Sequence, residues 1–126
     1  MPTAPTVAIV DDDESARRAL RRMLSGVGFA SQTFASADAF VADAERENFS
    51  CLLLDLQLEG MSGLELVRDL ARRGSHVPVI IITAHSEPEL RAQLLQYGCA
   101  GFFHKTDPGT LIVEALRRVT APKLPN

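Results

Sequence analysis

Four predicted strands each run into a polar residue of a kind that handles phosphate or a metal ion. Val7-Ala-Ile-Val10 leads into Asp11, Asp12 and Asp13, and Cys51-Leu-Leu-Leu54 leads into Asp55. Val79-Ile-Ile-Ile82 leads into Thr83, and Gly101-Phe-Phe-His104 leads into Lys105. Taken singly, each has an ordinary use: an aspartate caps a helix, a threonine sits in a turn, a lysine is solvated. Taken together they match the needs of one reaction. Converging carboxylates repel one another, and a divalent cation relieves that repulsion; Mg²⁺ takes one or two protein carboxylates, keeps several waters and binds phosphate oxygens. A phosphoryl group in transfer spreads charge over its equatorial oxygens, which a metal on one side and an ammonium plus a hydroxyl on the other would stabilise. The set therefore reads as phosphoryl transfer to Asp55, with Lys105 and Thr83 as clamps and Mg²⁺ as cofactor.

Such a set works only if the chain brings the strand ends to one edge, and the pattern of elements predicts that it does. After the first strand, Ala16, Ala19, Leu20, Met23 and Leu24 fall at helical intervals up to Gly26-Val-Gly28. Ala30 to Phe34 reads as a second strand, and Ser36 opens a helix carrying Ala39, Phe40, Ala42 and Ala44. Cys51 to Asp55 is a continuous apolar run ending in an acid, as expected of a strand covered on both faces. Ser62 with Glu65 forms a capping box for a third helix ending near Gly74. Val79 to Thr83 is the fourth strand. Ser86 with Glu89 makes a second capping box, and Gly98 closes that helix. A fifth strand, Gly101 to His104, precedes a last helix from Leu111 to Val119, opened by Asp107-Pro108. Five strand-then-helix units imply a doubly wound α/β fold whose ligand site lies beyond the carboxyl ends of the strands.

These residues and spacings resemble the receiver domains of bacterial two-component response regulators. The resemblance rests on Val10-Asp11-Asp12, Leu52-Leu-Leu-Asp55-Leu, Gly63 eight residues later, Thr83-Ala84 and Lys105, and it covers Thr6 to about Val119. It implies a flavodoxin-like five-stranded parallel sheet in the order 2-1-3-4-5 with five helices. It further implies that Asp12 binds Mg²⁺ directly, Asp11 mainly through water, and Gln57 through its backbone carbonyl. Asp55 would bind Mg²⁺ and accept the phosphoryl group, while Lys105 and Thr83 contact its oxygens. Thr83 and Phe102 would form the switch; Gln57, Ala84 and His85 would tune access and water attack. Arg17, Arg18, Arg21 and Arg22 make a basic patch on the first helix, read as a solvated face, beside which the family often docks its histidine kinase. The resemblance extends to receiver halves of transcription regulators with a C-terminal helix-turn-helix. It implies a sensor histidine kinase as partner and a switched surface at residues 87–119 that controls either a homodimer or an output domain; a DNA-binding domain outside this chain and a stand-alone regulator are equal alternatives.

Two departures stand out. Leu58-Glu59 replaces the Met-Pro common after the acceptor, and Thr106 follows Lys105 where the family usually has proline. A cis bond before a non-proline residue costs about 2.5–4 kcal/mol, so a trans Lys105-Thr106 bond is expected, with Thr106 or Asp107 capping the final helix.

Composition limits the other functions. The chain has 126 residues, 46% of them hydrophobic, enough for one well-buried domain; residues 1–5 and 120–126 read as an N-terminal extension and a tail or linker. A net charge of −3 gives no reason to expect direct binding to nucleic acid or anionic membrane. No apolar stretch approaches the roughly 18 residues of a membrane span, so a soluble, cytoplasmic protein is expected. Cys51 and Cys99, far apart and outside any metal-binding spacing, read as small core residues. One rival reading is a haloacid-dehalogenase-type phosphatase, since Asp11 and Asp13 form Asp-x-Asp after the first strand, but no acidic pair follows the fourth. The other is a receiver-like binding module that is never phosphorylated.

Overall fold

The computed structural model describes residues 5–84 and 87–120. Five parallel strands, β1 (Thr6–Val10), β2 (Ala30–Phe34), β3 (Cys51–Leu54), β4 (Val79–Thr83) and β5 (Gly101–His104), pair in the order β2-β1-β3-β4-β5. Five helices connect or follow them: α1 (Glu14–Gly26), α2 (Ala37–Ala42), α3 (Gly63–Arg72), α4 (Pro88–Gln96) and α5 (Gly109–Thr120). The order reverses between β1 and β3, and this places the ends of those two strands side by side, with Val10 opposite Leu54.

Because strand side chains alternate between faces, the central strands feed two separate cores. Ala8, Val10, Leu52, Leu54 and Ile81 pack against Phe40 of α2, Leu66, Val67 and Leu70 of α3 and Leu94 of α4. Val7, Ile9, Cys51, Leu53, Ile80 and Ile82 pack on the other face against Leu24 of α1 and Ile112, Ala115 and Leu116 of α5. Both faces are apolar, which explains why β3 and β4 read as unbroken hydrophobic runs. Each fully buried Leu or Ile contributes about 1.5–3 kcal/mol. Phe34, Phe40 and Phe49 add an aromatic group under α2, with Phe34 edge-on to Phe40 at 5.4 Å.

Several local expectations are corrected. Helix α2 stops at Ala42, so Ala44 is not helical; Asp43 takes an extended conformation and its carboxylate accepts the Glu45 N–H at 2.8 Å, an alternative to another helical turn. A single 3₁₀ turn, Arg46–Asn48, follows. Glu87 stands at the N-cap of α4 with Pro88 in the first turn, which leaves the Ser86–Glu89 box one residue out of register; Ser86 itself lies outside the described residues. Pro108 precedes α5, and that helix extends through Thr120, whose hydroxyl donates to Leu116 O at 2.7 Å, one residue into the expected tail. Cys51 is fully buried and its thiol is pushed up to about 12, whereas Cys99 is only half-buried, at the margin of the core and not inside it. The readings for residues 1–4 and 121–126 lie outside the described residues.

Candidate functional site

The first site residue is an extension of β1. Asp11 N–H donates to Phe34 O at 3.2 Å, so the backbone continues the β1–β2 ladder as the side chain turns into the site, 3% exposed. Its Oδ1 accepts the Asp13 N–H at 2.9 Å. Asp13 in turn caps α1, accepting the Ser15 N–H at 3.0 Å, which divides the three acids by task. Asp12 is left exposed at the mouth of the site.

Asp55 arrives from β3 in the same way, its N–H donating to Val10 O at 3.0 Å. Its side chain is 4% exposed, and Oδ1 accepts the Gln57 N–H at 3.2 Å. The loop after it is held from below by Gly63 at the start of α3. A Cβ at Gly63 would lie 2.7 Å from both Asp55 O and Leu56 Cα, so only glycine fits eight residues after the acceptor.

Lys105 supplies the opposite charge. Its N–H donates to Thr83 O at 2.8 Å, and its ammonium reaches Asp11 Oδ2 at 3.0 Å and Asp55 Oδ2 at 3.1 Å. No described peptide bond is cis, so the trans expectation for Lys105-Thr106 holds and the lysine still reaches both acids. Neither Thr106 nor Asp107 serves α5 as expected: the Thr106 hydroxyl pairs with the His104 ring, and Asp107 Oδ2 accepts the His104 N–H at 2.8 Å.

Burial raises the Asp55 carboxyl above the ordinary carboxylate range and the Asp11 charge adds to this, opposed by the Gln57 N–H and by Lys105. For Lys105, partial burial acts to lower the ammonium, but hydrogen bonds and charges from Asp11 and Asp55 outweigh it and leave it raised. One oxygen from each of Asp11, Asp12 and Asp55 lies within 4.8 Å of the others. Three carboxylates against one ammonium leave two formal negative charges, all on hard oxygen donors, and a divalent cation of the Mg²⁺ type fits that deficit.

The remaining sequence-predicted residues surround this cluster. Thr83 is fully buried at the end of β4, Ala84 is exposed beside it, and Gln57 is exposed beyond Asp55. Phe102 lies on the α4 side of β5, half-buried, with the Arg91 guanidinium 5.6 Å from its ring centre. His85 lies outside the described residues. One contributor was missed. Arg17, read as part of a solvated patch, donates from Nη1 to Asp11 O at 2.7 Å and pins the loop that carries two of the acids. Its neighbour Arg18 does behave as a surface residue, paired with Glu14 one turn away.

A five-stranded doubly wound sheet with carboxylates at the reversal point and a lysine from the edge strand defines an α/β domain with a site for a hard cation. The family model for the response regulator receiver domain matches residues 7–117, and the chain belongs to that family, whose general function is phosphorylation on aspartate. It is 37% identical over 115 residues to the transcriptional regulatory protein FixJ of Rhizobium meliloti (strain 1021), covering 91% of this chain and 56% of that protein. It is 32% identical over 102 residues to the response regulator protein TodT of Pseudomonas putida, covering 81% of this chain and 45% of that protein. Among solved structures, FixJ-N superposes with a TM-score of 0.83 at 33% identity, covering 99% of this chain and 100% of that one. The response regulator StyR superposes with a TM-score of 0.85 at 33% identity, covering 94% of this chain and 60% of that one. The chain thus spans about half the length of the curated relatives it matches. Nothing supports the phosphatase or the non-phosphorylated reading.

Because the acids supply charge and oxygens while Asp12 faces solvent, Mg²⁺ is expected to bind in rapid exchange. Titrating it should shift the amide signals of Asp12, Asp55 and Gln57 first. Unchanged signals there in the presence of saturating metal would remove the metal assignment. Lys105→Met should tighten Mg²⁺ binding, because the ion then meets two carboxylates no longer neutralised in part by the ammonium.

Proposed function

We propose that this chain accepts a phosphoryl group on Asp55 from a sensor histidine kinase and passes the change to the surface formed by residues 87–119. The observation that carries this reading is the bridging of Asp11 and Asp55 by Lys105 in a cluster that still lacks two positive charges. An oxygen of Asp55 attacks phosphorus, the new O–P bond forms, the N–P bond of the donor phosphohistidine breaks, and its imidazole leaves. Lys105, already beside Asp55, moves its hydrogen bonds to the phosphoryl oxygens, and Thr83 offers its hydroxyl from β4. Asp11, Asp12, Asp55 and the Gln57 carbonyl would hold Mg²⁺, which neutralises charge on the group being transferred. Water attack on phosphorus then breaks the Asp55 O–P bond, returns the carboxylate and releases inorganic phosphate, a step tuned by Gln57, Ala84 and His85. In the same reading the domain acts in the cytoplasm, and its switched face governs dimerisation or a C-terminal DNA-binding domain.

Position supports a switch: Thr83 ends β4, Phe102 lies on the adjacent β5 with Arg91 of α4 against its ring, and a hydroxyl drawn towards phosphate would vacate space for that ring. The size of the shift is limited to the ligand's differential affinity for the two arrangements. Beryllofluoride with Mg²⁺ should therefore change hydrogen exchange across residues 87–119 and move the monomer–dimer balance. Identical exchange and oligomeric state with and without it would refute the coupling, while amide shifts at Asp55 in the same sample would show whether the acceptor had been engaged.

A further inference from the structure

The turn that delivers Lys105 is built in a way the phosphoryl chemistry does not by itself require. The backbone is anchored before the lysine side chain, where Lys105 N–H meets Thr83 O, and again directly after it. The second anchor is the imidazole of His104. Its Nδ1 accepts the Thr106 N–H at 3.2 Å and lies 2.7 Å from Thr106 Oγ1. Two further bonds close the loop: Asp107 N–H donates to His104 O at 2.9 Å, and His104 N–H donates to Asp107 Oδ2 at 2.8 Å. The ring thus spans the Lys105-Thr106 peptide and holds it from the side facing α4.

The Thr106 N–H can only donate, so it reaches towards the Nδ1 lone pair, and the Thr106 hydroxyl lies against the same nitrogen. We propose that the His104–Thr106 pair is a positioning device for Lys105: the bonds between the ring and Thr106 fix the turn that aims the ammonium at Asp11 and Asp55. Thr106 stands where the family usually has proline, and proline has neither donor. Stiffness at this position therefore comes from side-chain hydrogen bonds and not from a ring in the backbone.

The inference rests on Asp55 being the acceptor, and the test separates the two. Phosphoryl uptake from acetyl phosphate with excess Mg²⁺ is measured at one neutral pH. His104→Phe should be about three- to tenfold slower than wild type, the worth of one or two hydrogen bonds. Thr106→Val, which keeps the N–H and the shape, should fall between the two, and Thr106→Ser should restore wild-type behaviour. Beryllofluoride affinity, an equilibrium readout of the same geometry, should weaken in the same order. Wild-type rate and wild-type beryllofluoride affinity in both His104→Phe and Thr106→Val would overturn the positioning role. A wild-type protein that takes up no phosphoryl group at Asp55 would overturn the acceptor reading and this inference with it.

Discussion

Asp55→Asn should abolish covalent phosphoryl uptake and, in metal-free buffer at neutral pH, raise the melting temperature. The loss follows from chemistry, since an amide oxygen is a poor nucleophile and both oxygens of the neighbouring Asp11 are already engaged, by the Asp13 N–H and by Lys105. The gain follows from electrostatics. Asp55 is buried beside a second carboxylate, and its carboxyl is raised above the ordinary value chiefly by that burial. A group whose folded-state pKa is raised favours folding most below its unfolded pKa, and that contribution is lost as pH rises through the folded value. At neutral pH the charged Asp55 therefore costs stability, and asparagine removes the charge while keeping the shape. The gain should shrink as the pH is lowered towards the carboxylate range. Lys105 retains Asp11 Oδ2 as a partner at 3.0 Å, so its charge is not stranded. Mass spectrometry of acetyl-phosphate-treated protein and paired thermal melts check both halves; label on another carboxylate in the variant would identify a different acceptor.

Gly63→Ala should be the most damaging small substitution near the site. The added methyl would meet Asp55 O and Leu56 Cα at 2.7 Å and Leu56 Cδ2 at 2.9 Å, and two of these three atoms are backbone. Overpacking of this kind costs about 1–3 kcal/mol, which for a domain of this size corresponds to a melting-temperature drop of roughly 5–10 °C. Relief must come from moving the acceptor loop or the start of α3, so Mg²⁺ affinity should fall along with stability. Gly26→Ala is the matching control. It lies in the last turn of α1 with nothing within 4 Å of the added carbon, and alanine's better helix propensity should leave stability equal or higher. Denaturant melts and Mg²⁺ titrations of the two variants side by side should diverge in sign.

The sheet and the acidic site were legible because one physical fact produces both. Strands covered on two faces must be apolar throughout, so a polar residue at the end of such a run marks where the core stops and the edge begins. Asp11, Asp55 and Thr83 could be located in this way, whereas β5 is half-buried and ends in His104, so Lys105 is placed only by following the fifth strand. What escaped was governed by side chain-to-backbone bonds, which have no period. Ala44 has helical propensity, yet the Asp43 carboxylate bonds locally and ends α2. Arg17 resembles its neighbours Arg18, Arg21 and Arg22 in type and spacing, and only the bend of the chain after β1 brings the Asp11 carbonyl within its reach. The same holds for His104 and Thr106, a pair two residues apart whose contact exists only because the turn folds the ring back over the peptide. Which of Asp12 and Asp13 caps α1 was likewise ambiguous by type and is decided by the Ser15 N–H.

The separation of the core into two layers has a bearing on how such a molecule can change over time. Side chains from one face of the sheet never mix with those from the other, and the reactive groups belong to neither, being attached where each strand runs out. On the proposed function, substitutions at Gln57 or Ala84 would adjust phosphoryl lifetime, and changes on α1 or α4 would alter the partners met, without repacking either layer. Chemistry, partner choice and scaffold become separately adjustable, and Gly63 is the point where that independence fails, because there a helix start, a strand end and the acceptor loop occupy the same few ångströms.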